Sequence, residues 1–166
     1  MDDDAKKVAL RMIPYGIYVM TAKDGDSIAA ATVNWVTQTA FAPPLIAVGV
    51  KTDSGIYGAV TKSKSFALNM LGKEQVGVAF TFFKPVEVED QKLSGEPYSN
   101  GSLGAPILDN AIASVECKVV EVVEQGDHHI IVGEVVEAKL GMTVEGRPDD
   151  AILHMRDLGD NVFYGG

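Results

Sequence analysis

Apolar positions recur along this chain mainly with a two-residue period or as short runs bounded by turn residues, which predicts a sheet-rich protein. Residues Tyr15 to Ala22 and Ile28 to Val36 are β-branched, aromatic or small, and Lys23-Asp24-Gly25-Asp26 between them is turn chemistry, so two antiparallel strands are expected. Pro43-Pro44 opens a third strand, Leu45 to Val50, and Ser54-Gly55 starts a short helix running to about Lys62. Ser65 to Leu71 reads as a strand. Glu74 to Phe83 reads as a helix that offers Val76, Val78, Ala79 and Phe82 for burial.

Two longer strands, Ala113 to Gln125 and His128 to Leu140, flank Gly126-Asp127, a two-residue loop with glycine first, as in a type II′ hairpin. Val115, Cys117 and Val119 share one face of the first, but apolar residues continue at Val120 and Val122. That change of phase predicts a bulge or strong coiling. Lys84 to Gly104 has no sustained period and reads as one long irregular segment. At the ends, Asp4 caps an outer helix over Ala5 to Met12, and short strands are expected at Ile152 to Met155 and Asn161 to Tyr164. No repeat interrupts residues 1–166, which read as a single domain. Many hairpin-joined strands with few short helices argue for a mainly β fold, a closed or partly closed barrel.

Length and charge narrow the function. A chain of 166 residues buries roughly 68–70% of its unfolded surface, enough for a real core. A formal charge of −9 with no Lys/Arg cluster would repel a phosphate backbone, so nucleic acid is not an expected partner. No apolar run reaches the ~18 residues of a membrane span, and the acidic Met1-Asp2-Asp3-Asp4 does not resemble a secretory signal, so a cytoplasmic location is expected. Cys117 is the sole cysteine, which leaves no intrachain disulfide and no thiolate metal cage.

Two segments carry candidate chemistry. Val50-Lys51-Thr52-Asp53-Ser54-Gly55 leaves a strand and enters a helix, placing an ammonium, hydroxyls and free N–H groups together as a phosphate seat; the alternative, which this segment alone favours, is that Ser54 merely caps the helix and Lys51 is a solvated charge. The segment lacks the glycine spacing of a P-loop or Rossmann turn. The strand Thr32, Val33, Asn34, Trp35, Val36, Thr37 and Gln38 is rich in hydroxyl and amide groups and suits a planar, hydrogen-bonding ligand, or else an edge strand with a polar outer face. His128 and His129 point to opposite faces of a strand, which disfavours joint metal chelation, and no metal site is expected. No Ser-His-Asp, HExxH or paired-carboxylate pattern is present, so any chemistry is expected to belong to a cofactor.

Taken in order, Met12–Ala22, Thr32–Gln38, Pro43-Pro44-Leu45, Val50–Ser54, Phe66–Leu71, Gly126-Asp127-His128 with Gly133-Glu134-Val135, and Tyr164-Gly165-Gly166 resemble the flavin reductase-like family of FMN-binding split barrels. The resemblance implies a Greek-key-like split β-barrel with a few short peripheral helices. It implies a homodimer with one FMN per subunit near the interface. Thr32, Lys51, Thr52 and Ser54 would hold the phosphate, Asn34 to Gln38 would run beside the isoalloxazine ring, and His128 would contact the hydride donor. Ala42 stands where the family commonly has Asp, and Trp35 where it often has a smaller residue. Within the family the sequence looks closer to flavodiiron-associated members than to the small partners of aromatic monooxygenases.

The activity so implied is that of an NAD(P)H-dependent flavin oxidoreductase, with NADH or NADPH as donor and free flavin, a redox protein or a flavin-dependent enzyme receiving the electrons. The alternatives are a flavoredoxin-like FMN carrier fed by a ferredoxin or rubredoxin, and a split barrel that binds another ligand as a sensor.

Overall fold

In a computed structural model describing residues 1–166, 45% of residues lie in strands and 19% in helices, so the mainly β expectation holds. β1 (Tyr18–Asp24) and β2 (Ser27–Val33) form a hairpin closed by Gly25-Asp26, with Gly25 at φ 59°. A Cβ is disfavoured at that φ, which explains the glycine. After Asn34-Trp35 the chain continues as β3 (Val36–Phe41) and β4 (Pro44–Lys51). β5 (Ser65–Met70), β10 (Ala113–Val123) and β11 (His128–Leu140) complete an antiparallel sheet in the order β2-β1-β5-β10-β11-β4-β3.

The two edge strands of this seven-stranded sheet are consecutive in the chain. Flat, they would stand roughly 29 Å apart at ~4.8 Å per strand. Val33 and Val36 are three peptides apart, a reach of about 11 Å at most. The sheet therefore rolls until its edges face each other. Gly49 N–H donates to the Trp35 carbonyl at 2.8 Å, fastening the connection to β4, but no ladder joins β2 to β3, so the barrel is not closed there.

Inside the roll, Met20, Ala22, Val33, Val48, Val50, Phe66, Leu68, Cys117 and Ile131 pack together, and α2 (Gly55–Ser63) adds Ile56 and Val60. Gly133 is required there: a Cβ would fall 2.7 Å from the Phe66 ring. A second apolar cluster on the outer face joins Ile17, Val19 and Ala30 to Ala79 and Phe82 around α3 (Val76–Thr81), and to Leu93, Leu108, Leu153 and Leu158. Asn69, fully buried, ties the two layers: its amide donates to the Val19 carbonyl at 3.1 Å, and its Oδ1 accepts from Leu108 N–H at 2.9 Å.

Several expectations are corrected. The segment expected to be irregular holds a small sheet of β6 (Val88–Glu89), β7 (Lys92–Leu93), β8 (Glu96–Asn100) and β9 (Pro106–Leu108), strands too short for a period to register. The Gly126-Asp127 turn is wider than two residues: β10 and β11 pair only as far as Val123 and Ile130, while on its other edge β11 extends its pairing with β4 to His128 and Lys51. The phase change in β10 is a register shift between Val119 and Glu121. In α1 (Asp3–Arg11), Asp2 rather than Asp4 is the cap, accepting from Ala5 N–H at 2.7 Å. Residues 161–164 form no strand, and Ile152 and His154 make only isolated bridges beside α4 (Pro148–Ala151) and a 3-10 turn, Met155–Leu158. No helix is long and apolar enough to cross a membrane.

Candidate functional site

The register that pairs His128 of β11 with Lys51 of β4 brings two distant segments side by side beneath the open edge of the sheet. Thr52 fastens the pairing, its N–H and Oγ1 both donating to the Asp127 carbonyl, at 3.1 and 3.2 Å. Ser54 caps α2: its Oγ accepts from Tyr57 N–H at 3.2 Å and donates to the Lys51 carbonyl at 2.6 Å. The first turn of α2 thus begins beside Lys51, with N–H groups that no preceding turn can satisfy. Lys51 Nζ lies 3.2 Å from Asp53 in an exposed ion pair, which leaves the ammonium free to reorient.

Thr32 is locked to α3, its Oγ1 donating to the Ala79 carbonyl at 2.7 Å and its N–H to the Phe82 carbonyl at 3.1 Å. Just beyond β2, Asn34 is buried and donates to the Tyr164 carbonyl at 3.2 Å. The Trp35 ring sits 4.6 Å from the His128 ring and 5.4 Å from the Tyr164 ring, centroid to centroid. Its indole N–H is covered and has no acceptor, an orphan donor at the margin of the site.

His128 is held from both sides, by Asp127 Oδ1 at 2.9 Å from Nδ1 and by the Tyr164 hydroxyl at 2.7 Å from Nε2. The carboxylate can only accept, so Nδ1 carries a proton, and the Tyr164 hydroxyl fixes the ring from its other nitrogen. The hydrogen bond from His128 holds the Asp127 carboxyl below its ordinary range. Burial raises the Tyr164 phenol, which stays protonated as a donor. His129 points the other way, to the Tyr57 hydroxyl at 2.6 Å.

Between these groups lies a cleft of about 190 Å³ with an apolar floor of Ile17, Val33, Val50, Ile56 and Phe82. Thr32, Val33, Asn34, Lys51, Ser54 and His128, all singled out from the sequence, line it together. Thr52 sits just behind, engaged with Asp127. Val36 packs toward the sheet interior opposite Val48, while Thr37 and Gln38 are exposed farther along β3, bonded to the Gln38 and Ala40 carbonyls. The structure adds Phe82, Phe83, Met155 and Tyr164. Tyr164 belongs to the closing Tyr164-Gly165-Gly166 motif noted in the sequence, which marked the residue without assigning it a place in the site.

A cleft at the junction of the sheet's two edges, with an apolar floor, converging donors and a clamped imidazole, is the kind of site that takes a planar anionic cofactor. Residues 10–158 match the flavin reductase-like domain, and the chain belongs to that family. It is 30% identical over 161 residues to diflavin flavoprotein A 1 of a Synechocystis species, covering 96% of this chain and 27% of that protein. It is 32% identical over 126 residues to the reductase component of a 4-nitrophenol 4-monooxygenase/4-nitrocatechol 2-monooxygenase from Rhodococcus opacus, covering 76% of this chain and 66% of that protein. The chain thus spans about a quarter of the first relative and just under two thirds of the second. The NADH:FAD oxidoreductase SgcE6 of Streptomyces globisporus superposes with a TM-score of 0.73 at 29% identity over 84% of each chain.

Proposed function

We propose that this protein is an FMN-binding split barrel acting as an NAD(P)H-dependent flavin oxidoreductase, with the flavin in the cleft that Lys51 and His128 line. The observation that carries the reading is the His128–Lys51 register. It places a phosphate-suited cation and helix start directly beside a clamped imidazole, both lining a cleft with an apolar floor. When bound, flavin accepts a hydride at N5 from the nicotinamide and passes electrons on.

The chain's own residues bind and orient. Lys51 and the first turn of α2 face the phosphate, with Ser54 and Thr52 fixing that corner. Asn34 supplies a donor along the ring's polar edge. Ile17, Val33 and Phe82 exclude water from one face. His128, held by Asp127 and Tyr164, packs against the incoming nicotinamide.

A volume of 190 Å³ is below the ~300–1,000 Å³ of common small-molecule sites, so a second copy of the chain is the proposed source of the remaining wall. Exposed Val8, Met12 and Ile13, in and just after α1, suit such a homodimer. Electrons pass to free flavin or a flavin-dependent enzyme, as the Rhodococcus relative's role as a reductase component suggests. The lone buried Cys117 fits the reducing cytoplasm.

The test is an absorbance spectrum of FMN-saturated protein followed by anaerobic NADH and then NADPH. Bleaching of bound flavin within seconds is expected. A flavin that neither donor reduces excludes the reductase, and failure to retain added FMN excludes the cofactor.

A further inference from the structure

Behind the proposed flavin cleft lies a second cavity of about 350 Å³, separated from it by Met155 and Tyr164, which line both. Its walls bring together Arg11, Arg156, Tyr15, Phe163, Tyr164 and Asp160. Two of the chain's three arginines thus meet in one cavity of a protein with a formal charge of −9; the third, Arg147, pairs with Asp149 at 2.7 Å.

The two cavity arginines are not consumed by the fold. Arg156 is exposed on the 3-10 turn, with no carboxylate within ion-pair distance. Arg11 lies 4.2 Å over the Phe163 ring and uses only Nε, which donates to the Gly165 carbonyl at 3.3 Å. Its terminal nitrogens remain free. Planar forked donors suit phosphate oxygens, and the aromatic rings beside them suit a flat base. Asp160, the one carboxylate in the lining, can accept from a ribose hydroxyl while leaving the cavity net cationic.

We propose that this cavity seats the phosphate-bearing adenylate half of a dinucleotide whose other half lies in the adjoining cleft. The shared chemistry is a purine nucleotide with a pyrophosphate, carried either by the nicotinamide donor or by FAD. The inference rests on the flavin-oxidoreductase reading for what occupies the neighbouring cleft. Tyr164, as the partition, must shift for one molecule to span both cavities. It sits on an irregular tail held by the Asn34, His128 and Arg11 contacts.

The probe is ADP, titrated calorimetrically into FMN-saturated protein. The parent binds, Arg156→Gln binds about tenfold or more weakly, and Arg156→Lys recovers part of the loss. Steady-state kinetics and flavin titration then separate the two sources. A raised KM for NADH with unchanged kcat assigns the cavity to the donor, and a raised Kd for FAD but not FMN assigns it to FAD. No ADP binding by the parent, equal binding by parent and Arg156→Gln, or a variant that shifts neither dinucleotide overturns the proposal. Arg156-dependent ADP binding by a protein whose flavin no nicotinamide reduces would leave this cavity standing and remove the reductase reading instead.

Discussion

The Tyr164 hydroxyl stands 2.7 Å from His128 Nε2, so the imidazole proposed to meet the hydride donor is oriented by a residue 36 positions away. Tyr164→Phe removes that hydrogen bond and keeps the ring. A neutral hydrogen bond contributes about 0.5–1.5 kcal/mol, so stopped-flow reduction by NADH should slow roughly two- to tenfold with FMN affinity unchanged. An unaltered rate would release Tyr164 from a positioning role.

Lys51→Ala should weaken FMN retention by about 1.5–3 kcal/mol, the worth of a charge-assisted contact, while the melting temperature of the apoprotein stays put. The ammonium is half-exposed and pairs only with Asp53, so folding does not depend on it. Equal FMN affinity in parent and variant would remove Lys51 from the phosphate corner.

Asn69 joins β1 to the small sheet through three side-chain hydrogen bonds in a fully buried position. Asn69→Ala leaves the Leu108 N–H and the Val19 carbonyl without these partners. A loss of about 1–3 kcal/mol is expected, read as a melting point lower by about 2–4 °C per kcal/mol. A melting curve that coincides with the parent's would show that water or neighbouring groups replace the amide.

Burial, reinforced by neighbouring Glu116, pushes the Cys117 thiol from its ordinary 9.0 up to about 12. A raised acid pKa means the folded state keeps its proton while the unfolded chain loses it. This contribution to stability is therefore complete below pH 9 and declines as pH rises toward 12. Denaturant midpoints should fall across that window in the parent and fall less in Cys117→Ala. The native thiol should also ignore iodoacetamide at pH 8, whereas the unfolded chain reacts stoichiometrically.

Much of this was legible in the sequence, for physical reasons that also mark where it was not. β4, the Ser54 cap and α2 were readable because they rest on local chemistry, a Pro-Pro entry and a hydroxyl one residue before the helix. The phosphate corner came with them, since Lys51 and Ser54 lie within one turn of chain. The apolar phase slip at Val120 announced a bulge. Local hairpin partners were readable, but distant ones were not: that the outer edge of β11 sets His128 beside Lys51 is decided across 77 residues by the rolled sheet. The two-residue strands at 88–89 and 92–93 are too short to show a period. Tyr164 and the Arg11/Arg156 cavity needed the tail's path across α1 and β2, which no spacing encodes.

The Asn34–Tyr164 hydrogen bond fastens the proposed cofactor cleft with a contact between residues 130 positions apart. A contact of that span closes a very long loop and carries a high loop-closure entropy, whereas the ladders beneath it join neighbouring strands of a continuous sheet. Local opening would therefore begin at the tail, with the barrel still intact. On warming, this protein should let go of its ligand before it loses its shape, and the molecule's tenure on its cofactor should be shorter than its tenure on its fold.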